Sequence, residues 1–470
     1  MVNYKQILFD QYTPISVYSK LKERFPDEIS LLFESGISSE NGNFSFIFIG
    51  ALERIQYKNN QTIFINEDKK VSKSEESPFK LLKEYYKKID TSLYKNLSKE
   101  LNIGYIDGFV GFIGYDSVKV FEPVLDSYMK DLKDELDTPD LDLIRPKLVL
   151  AYSHKSNKLT ILSSGTFSNK ELDEIDIYLK TSYPYMPIKK TKIDTEKGTY
   201  AFDKNQFFKM IEDSKEMIKS GDVFQILMSN RFTQYAKIDH LSFYRILRSK
   251  NPSPYMFLLE FEKFSIAGSS PEVMVGLNDD SILLRPIAGT RRRGNTPQRD
   301  AQLADEMLND EKECAEHLML IDLGRNDVGR VAKSGSVKVL EMMRVEKYSH
   351  VMHMVSDIDA QLDSKYDMFD LFAATFTAGT MTGAPKIRAM ELIAEYEGIK
   401  RGFYSGSIGY FGFDGNMDSA IAIRTVYIDD EKIVFQAGAG IVADSQKELE
   451  FLEVQNKLAA NLSALDELSE

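Results

Sequence analysis

The sequence predicts an α+β fold built on large, mostly antiparallel β-sheets. Short β-like runs recur in both halves of the chain, and most are not followed at once by the helix that a parallel βαβ unit needs. The chain has 470 residues, more than one ordinary core takes, which points to two domains or one large composite fold. A hydrophobic share of 43% beside 28% charged residues describes a globular protein able to bury a sizeable core.

Taken in order, SFIFIGAL, TIFIN, KLVLAY and KLTILSS read as strands set among polar helices. GFVGFIGYD (108–116) is rich in glycine and aromatic residues, which suits a strand that another backbone approaches closely. The stretch 183–203 holds two prolines, several lysines and a glycine with little apolar periodicity, and reads as a linker. It divides the chain into an N-terminal region, 1–185, and a C-terminal region, 200–468. Past the linker, NQFFKMIEDSKEMIKSGD has helical spacing and stops at Gly221, a good C-terminal cap, before the strand VFQILMS. No repeat of fixed period and no low-complexity tract is present.

With 59 basic against 72 acidic residues the formal net charge is −13, which argues against a phosphate-binding nucleic-acid partner. Cys314 is the only cysteine, so the chain forms no internal disulfide and suits a reducing compartment. MVNYKQILFDQYTPISV lacks the basic start and apolar run of a signal peptide, and no stretch reaches the roughly 20 apolar residues that span a bilayer. A cytoplasmic location is expected.

Several segments carry candidate chemistry. GAGIVA (438–443) follows a strand-like run and matches a dinucleotide fingerprint, but only one helix's worth of chain follows it. A βαβ unit cannot close there, so the reading reduces to a glycine turn whose backbone N–H groups could hold a carboxylate. In the helix after it, Phe451, Val454, Leu458, Leu462 and Leu465 share an apolar stripe, flanked by Glu450, Glu453 and Lys457. Taken alone, that flank is an ordinary solvated Glu–Lys edge. Glu316, however, lies where another helical segment turns apolar, and a carboxylate entering a buried region needs a cation or a proton. Carboxylates from two helices suit magnesium, which takes one or two of them with waters and substrate oxygens.

RPIAGTRRRG (285–294) packs arginines around a small-residue turn and reads as a basic surface loop. TAGTMTGAPKIRAME (377–391) is a Gly/Thr loop feeding a helix at Pro385, a good place for an anion but also for a plain cap. Histidine is scarce, five in all, and two fall in YSHVMHMVS; strand alternation would turn His350 and His353 to opposite faces. No HExxH, nucleophile elbow or Walker loop occurs.

Together these segments resemble the chorismate-utilising enzymes, and within them the anthranilate synthase component I group. The resemblance runs through GDVFQILMSNRF, NPSPYMF, GSSPEVMV, RPIAGTRRRG, AEHLMLIDLGRND, YSHVMHMVS, FTAGTMTGAPKIRAME, YSGSIGYFGFDGNMDSAIAIRT and QAGAGIVADS, with a looser LLFES in the N-terminal third. It implies two large facing β-sheets flanked by helices, with the active site in the cleft between them. It implies Mg²⁺ held by Glu316 and Glu453, with Glu450 behind them. Tyr404, Arg424 and the backbone of Gly438, Ala439 and Gly440 would hold the substrate carboxylates with Lys457 close by, and Gly289 and Thr290 would touch substrate. Glu272 would be the acid that assists departure of the C4 hydroxyl, and His353 would serve the later loss of pyruvate.

The implied activity is amination of chorismate and elimination of pyruvate to give anthranilate, the first step of tryptophan biosynthesis. Gln225 stands where related isochorismate synthases place a lysine base, and Ala288 where aminodeoxychorismate synthases place a lysine nucleophile. Ammonia is therefore the implied nucleophile, supplied by a separate glutaminase subunit, since Cys314 lies outside any glutaminase-like motif. Ser35 in LLFES with Pro254, Tyr255 and Met256 implies an inhibitory tryptophan site. The competing readings are an aminodeoxyisochorismate synthase that stops before pyruvate loss, an aminodeoxychorismate synthase, and a non-catalytic homologue. The presence of His353 counts against the first, Ala288 against the second, and Glu272, Glu316, Glu453 and Arg424 against the third.

Overall fold

The computed structural model describes residues 2–35, 44–182, 184–194, 197–348 and 351–469. The fold is α+β, and among the described residues every pairing between strands is antiparallel; only isolated bridges such as Lys133 with Ile399 run parallel. The strands join into a hydrogen-bonded system with two arms that meet at the long strand Phe44–Lys58. One arm runs through Ser30–Glu34, Tyr255–Glu260, Ser265–Ser270, Thr425–Ile428 and Lys432–Ile441 to Gln225–Tyr235. The other runs through Leu141–Ser153, Gly108–Ile113, Ser407–Gly412, Met417–Ile421, Val273–Asn278 and Ser281–Leu284 to Val351–Gln361. That last strand is flanked by Ile287–Arg292 and Lys338–Lys347.

Strands from before the linker thus pair directly with strands after it, Ser30–Glu34 with Tyr255–Glu260 and Gly108–Ile113 with Ser407–Gly412. Glycine makes the second pairing possible, and likewise the neighbouring one with Leu141–Ser153. A Cβ on Gly108 would stand 2.1 Å from the Phe411 carbonyl oxygen, and one on Gly111 2.2 Å from that of Asp142. Of the linker, Tyr183, Thr195 and Glu196 lie outside the described residues, as does His350. The helix Lys204–Lys219 begins with a capping box between Asp203 and Gln206, and Gly221 follows its end at φ +84°.

The sequence reading of 438–440 needs correction. These residues form no turn: they continue the strand Lys432–Ile441, antiparallel to Gln225–Tyr235, with Gly438 opposite Ser229 and Gly440 opposite Leu227. An antiparallel neighbour excludes a dinucleotide fold, which needs parallel strands and a glycine loop. The final helix, Lys447–Leu468, buries Val454, Leu458 and Leu465 as its stripe requires, with Phe451 and Leu462 partly covered. No helix is long and apolar enough to cross a membrane among the described residues.

Candidate active site

The ends of the two arms and the helices Glu311–Gly329 and Lys447–Leu468 enclose a cavity of about 230 Å³. Gln225, Tyr404, Arg424, Gly438 and Gly440 reach it from one side, and Glu272, Ala288, Gly289, Thr290 and His353 from the other. The helices add Glu316, Glu453 and Lys457. Ala439 is the exception, for its methyl is fully buried in the core, as alternation along a strand dictates. Glu450 faces a wider mouth of about 890 Å³ outside the cavity, shared with Glu316 and Glu453.

The glycines at 438 and 440 make room for neighbours. A Cβ on Gly440 would meet Gln225 Nε2 at 2.8 Å, and one on Gly438 the Tyr404 hydroxyl at 3.1 Å. Gln225 is buried and its Oε1 has no hydrogen-bond partner among the described residues. An unpaired buried amide oxygen at a cavity wall is costly unless a ligand donor meets it.

Burial pushes the Glu272 carboxyl up to about 8, against the opposing pull of the Thr380 hydroxyl, Lys457 and Arg424. The Thr380 hydroxyl donates to Glu272 Oε1 at 3.0 Å. Glu272 is therefore mostly protonated at neutral pH, the state a proton donor needs. Arg424 sits at φ +48°, in the left-handed region, and lines the cavity. Burial lowers its pKa, Glu272 raises it, and among the described residues the guanidinium has no hydrogen-bonded acceptor. A half-buried cation that faces only Glu272, itself mostly protonated, suits an anionic ligand.

His353 Nδ1 lies 3.2 Å from the Gly289 carbonyl and 3.0 Å from Thr290 Oγ1. A carbonyl only accepts, so Nδ1 carries the proton and Nε2 keeps its lone pair. Burial first, then the Arg424 charge, hold His353 down to about 4, so the ring is neutral.

Glu453 and Lys457 form the helical ion pair that the plain reading expected, at 2.7 Å, yet both face the cavity, and Lys457 also donates to the Gly438 carbonyl at 2.9 Å. Burial, then Glu313 and Glu453, raise the Glu316 pKa. Two carboxylates that repel one another across a cavity fit a divalent cation, and hard oxygen donors fit magnesium. The described residues contain no cluster of three or more His, Cys, Asp or Glu ligands, so waters and substrate would have to complete the shell.

RPIAGTRRRG is not a free basic loop. Arg285 bonds Asp357 at 2.6 Å, Arg291 bonds Glu313 at 2.7 Å, and Arg293 bonds Asp300 at 2.8 Å, which ties the strand bearing Gly289 and Thr290 to its surroundings. TAGTMTG supplies Thr380 and Met381 to the cavity wall rather than an open anion loop. Residues not expected there include Gln436, which the period-2 pattern 436, 438, 440 would have placed on the same face, and Asn461, one helical turn past Lys457.

A second cavity, of about 460 Å³, brings together Ser35, Pro254, Tyr255 and Met256. Its walls include Phe33, Phe44, Phe46 and Tyr410, with Glu34, Asp418, Glu346 and Arg285 as charged groups. The Tyr255 hydroxyl donates to Asp418 at 3.0 Å, and burial pushes Asp418 up to about 6.

The family model described as chorismate binding enzyme matches residues 11–463. The chain is 40% identical over 475 residues to anthranilate synthase component 1 of Aquifex aeolicus, covering 98% of this chain and 94% of that protein. It is 39% identical over 482 residues to the Acinetobacter calcoaceticus protein of the same name, covering 98% and 94%. Among solved structures it matches anthranilate synthase component I from Streptococcus pneumoniae with a TM-score of 0.78 at 31% identity, over 90% of this chain and 93% of that one. The menaquinone-specific isochorismate synthase of Escherichia coli shares the fold, with a TM-score of 0.72 at 18% identity over 99% and 95%. With that coverage and identity, the chain belongs to the chorismate binding enzyme family, in the group whose members are named anthranilate synthase component 1.

Proposed function

We infer that this chain is the synthase half of an anthranilate synthase, converting chorismate and ammonia into anthranilate, pyruvate and water. The observation that carries the reading is Glu272, an acid kept protonated by burial at the cavity wall that Arg424 shares. Arg424, Tyr404 and Lys457 hold the two carboxylates of the substrate. A magnesium ion held by Glu316 and Glu453 would neutralise substrate charge and align the ring. Glu272 gives its proton to the C4 hydroxyl, which leaves as water while ammonia bonds to C2. The Gln225 carbonyl oxygen accepts an N–H of the incoming nucleophile; being an amide, it cannot deprotonate water. The neutral His353 then takes the C2 proton, the C3–oxygen bond breaks, and the released enolpyruvyl group becomes pyruvate as the ring turns aromatic. Ammonia reaches the site from a separate glutaminase subunit, in the cytoplasm.

The test is the purified chain with chorismate, Mg²⁺ and ammonium salts, followed by product fluorescence and mass. Anthranilate is expected from ammonium but not from glutamine. Gln225→Lys should divert part of the flux to isochorismate, because an amine can activate water, and His353→Met should let the amino-containing intermediate accumulate. If the parent makes 4-amino-4-deoxychorismate, or isochorismate at a rate indifferent to ammonium, the reading of Gln225 and Ala288 is wrong.

The second cavity supports feedback inhibition by tryptophan, since an aromatic-walled space with a few charged groups suits an indole amino acid. Ser35→Arg places a long cation in that cavity. It should keep its activity and lose its sensitivity to tryptophan, by about tenfold or more in the inhibitory concentration, a shift of about 1.4 kcal/mol. Undiminished sensitivity in an active Ser35→Arg enzyme would move the site elsewhere.

A further inference from the structure

We propose that Tyr348 couples the second cavity to the active site, so that an occupant of the one acts on His353 in the other; this rests on reading that cavity as the tryptophan site. Tyr348 lines both the second cavity and the mouth that His353 and Arg424 share. Its ring packs against the His353 imidazole with centroids 5.5 Å apart and planes inclined at 60°. Its hydroxyl donates to Glu346 Oε2 at 2.7 Å, and Glu346 stands in the wall of the second cavity.

The backbone around this contact is a frame of three strands. His353 lies on the middle strand, opposite Glu346 on one side and Thr290 on the other. Glu346 is in turn clamped by Arg344 at 2.6 Å. Residues directly opposite share a face of the sheet, so the frame places a cavity residue, a catalytic histidine and a substrate-side threonine in one row. Within that row His353 is buried and held by Gly289 and Thr290, while Tyr348 is partly exposed beyond the end of its strand. Tyr348 is therefore the part that moves in the proposal: packed on His353 as in this structure, or released from it and drawn with Glu346 toward an occupant of the second cavity. A ligand that binds better to the released arrangement shifts the balance toward it. His353 then loses the wall that holds its ring plane, and its Nε2 leaves the line to the substrate.

Pro271 also faces both cavities, but it is a rigid ring on the segment that carries Glu272, so it offers no second side-chain arrangement. Tyr348→Phe separates the elements of the proposal, because it removes the bond to Glu346 and leaves the ring on His353.

The experiment measures tryptophan binding by calorimetry and inhibition of ammonia-dependent anthranilate formation, in the full chain and in Tyr348→Phe. Tryptophan should bind the variant within about threefold of the parent, while the fold inhibition at saturation drops by about fivefold or more. A variant inhibited as strongly as the parent overturns the proposal, and so does one that no longer binds tryptophan, since Tyr348 would then be a binding residue. A companion variant needs no tryptophan. A Cβ added at Gly104, in the same cavity, meets only the Tyr410 hydroxyl at 3.7 Å, so Gly104→Phe sends a ring into the space. It should slow the parent and leave the Tyr348→Phe background much less affected. If the parent binds no tryptophan, the regulatory reading falls by itself, and equal slowing by Gly104→Phe in both backgrounds overturns the coupling.

Discussion

Glu316→Gln and Glu453→Gln are each expected to lower turnover by about a thousandfold at ordinary Mg²⁺. The amide keeps the shape and hydrogen-bonding reach of the carboxylate but removes the charge that a divalent cation needs beside a dianionic substrate. Losing several kcal/mol of charge stabilisation in the transition state corresponds to roughly that factor. Folding should be unaffected. Glu453 is half-exposed at the cavity, its ion pair with Lys457 lies within one helix, and Glu316 is held against Glu313 and Glu453 at a cost that the amide relieves. Intact folding with lost turnover therefore separates a metal role from a structural one. The residual activity of either variant should also demand more Mg²⁺. Turnover near that of the parent at ordinary Mg²⁺ in either variant would remove that residue from the metal site.

Glu272→Gln carries the other large effect, a loss of about 10² to 10⁴ in turnover, the usual worth of a positioned proton donor. The pH profile gives the finer test. Glu272 must be protonated to act, and its carboxyl is pushed up to about 8 by burial, so the acid form predominates at pH 7 and is lost as pH rises through 8. An unshifted carboxyl would be less than about 1% protonated at pH 7. At fixed total ammonium the supply of free ammonia climbs with pH, because ammonium has no lone pair. The rate of the parent should therefore rise from pH 7, then flatten above pH 8 as loss of the Glu272 proton cancels the gain in nucleophile. Divided by the concentration of free ammonia, the rate should fall across that range with a midpoint near 8. In Glu272→Gln that limb should vanish from what activity remains. A parent profile that tracks free ammonia without bending up to pH 9 would mean that Glu272 is not the donor.

Much of the architecture is legible from local pattern. The strand periods, the stop of a helix at Gly221, the close approach at Gly108 and Gly111, and the apolar stripe of the last helix all depend on residues near one another in the chain. So does the Glu453–Lys457 pair, one helical turn apart. The segment 438–440 misled for the same reason: glycines in a row are a turn by composition, and only the opposing strand shows that they are bare so that Gln225 and the Tyr404 hydroxyl can approach. The arginines of 285–294 look solvated until Asp357, Glu313 and Asp300 are placed beside them.

By itself the sequence determined the α+β class, the antiparallel strands and, through resemblance, which carboxylates, arginine and histidine are candidates for the site. Only the tertiary structure decided their chemical state. Glu272 is an acid rather than a carboxylate because strands and loops distant in sequence exclude water from it, and its hydroxyl partner Thr380 lies 108 residues away. His353 is neutral because it is buried beside Arg424, and Glu316 feels Glu453 because two helices converge at one cavity. Desolvation and through-space charge depend on what packs around a group, and no spacing along the chain records that.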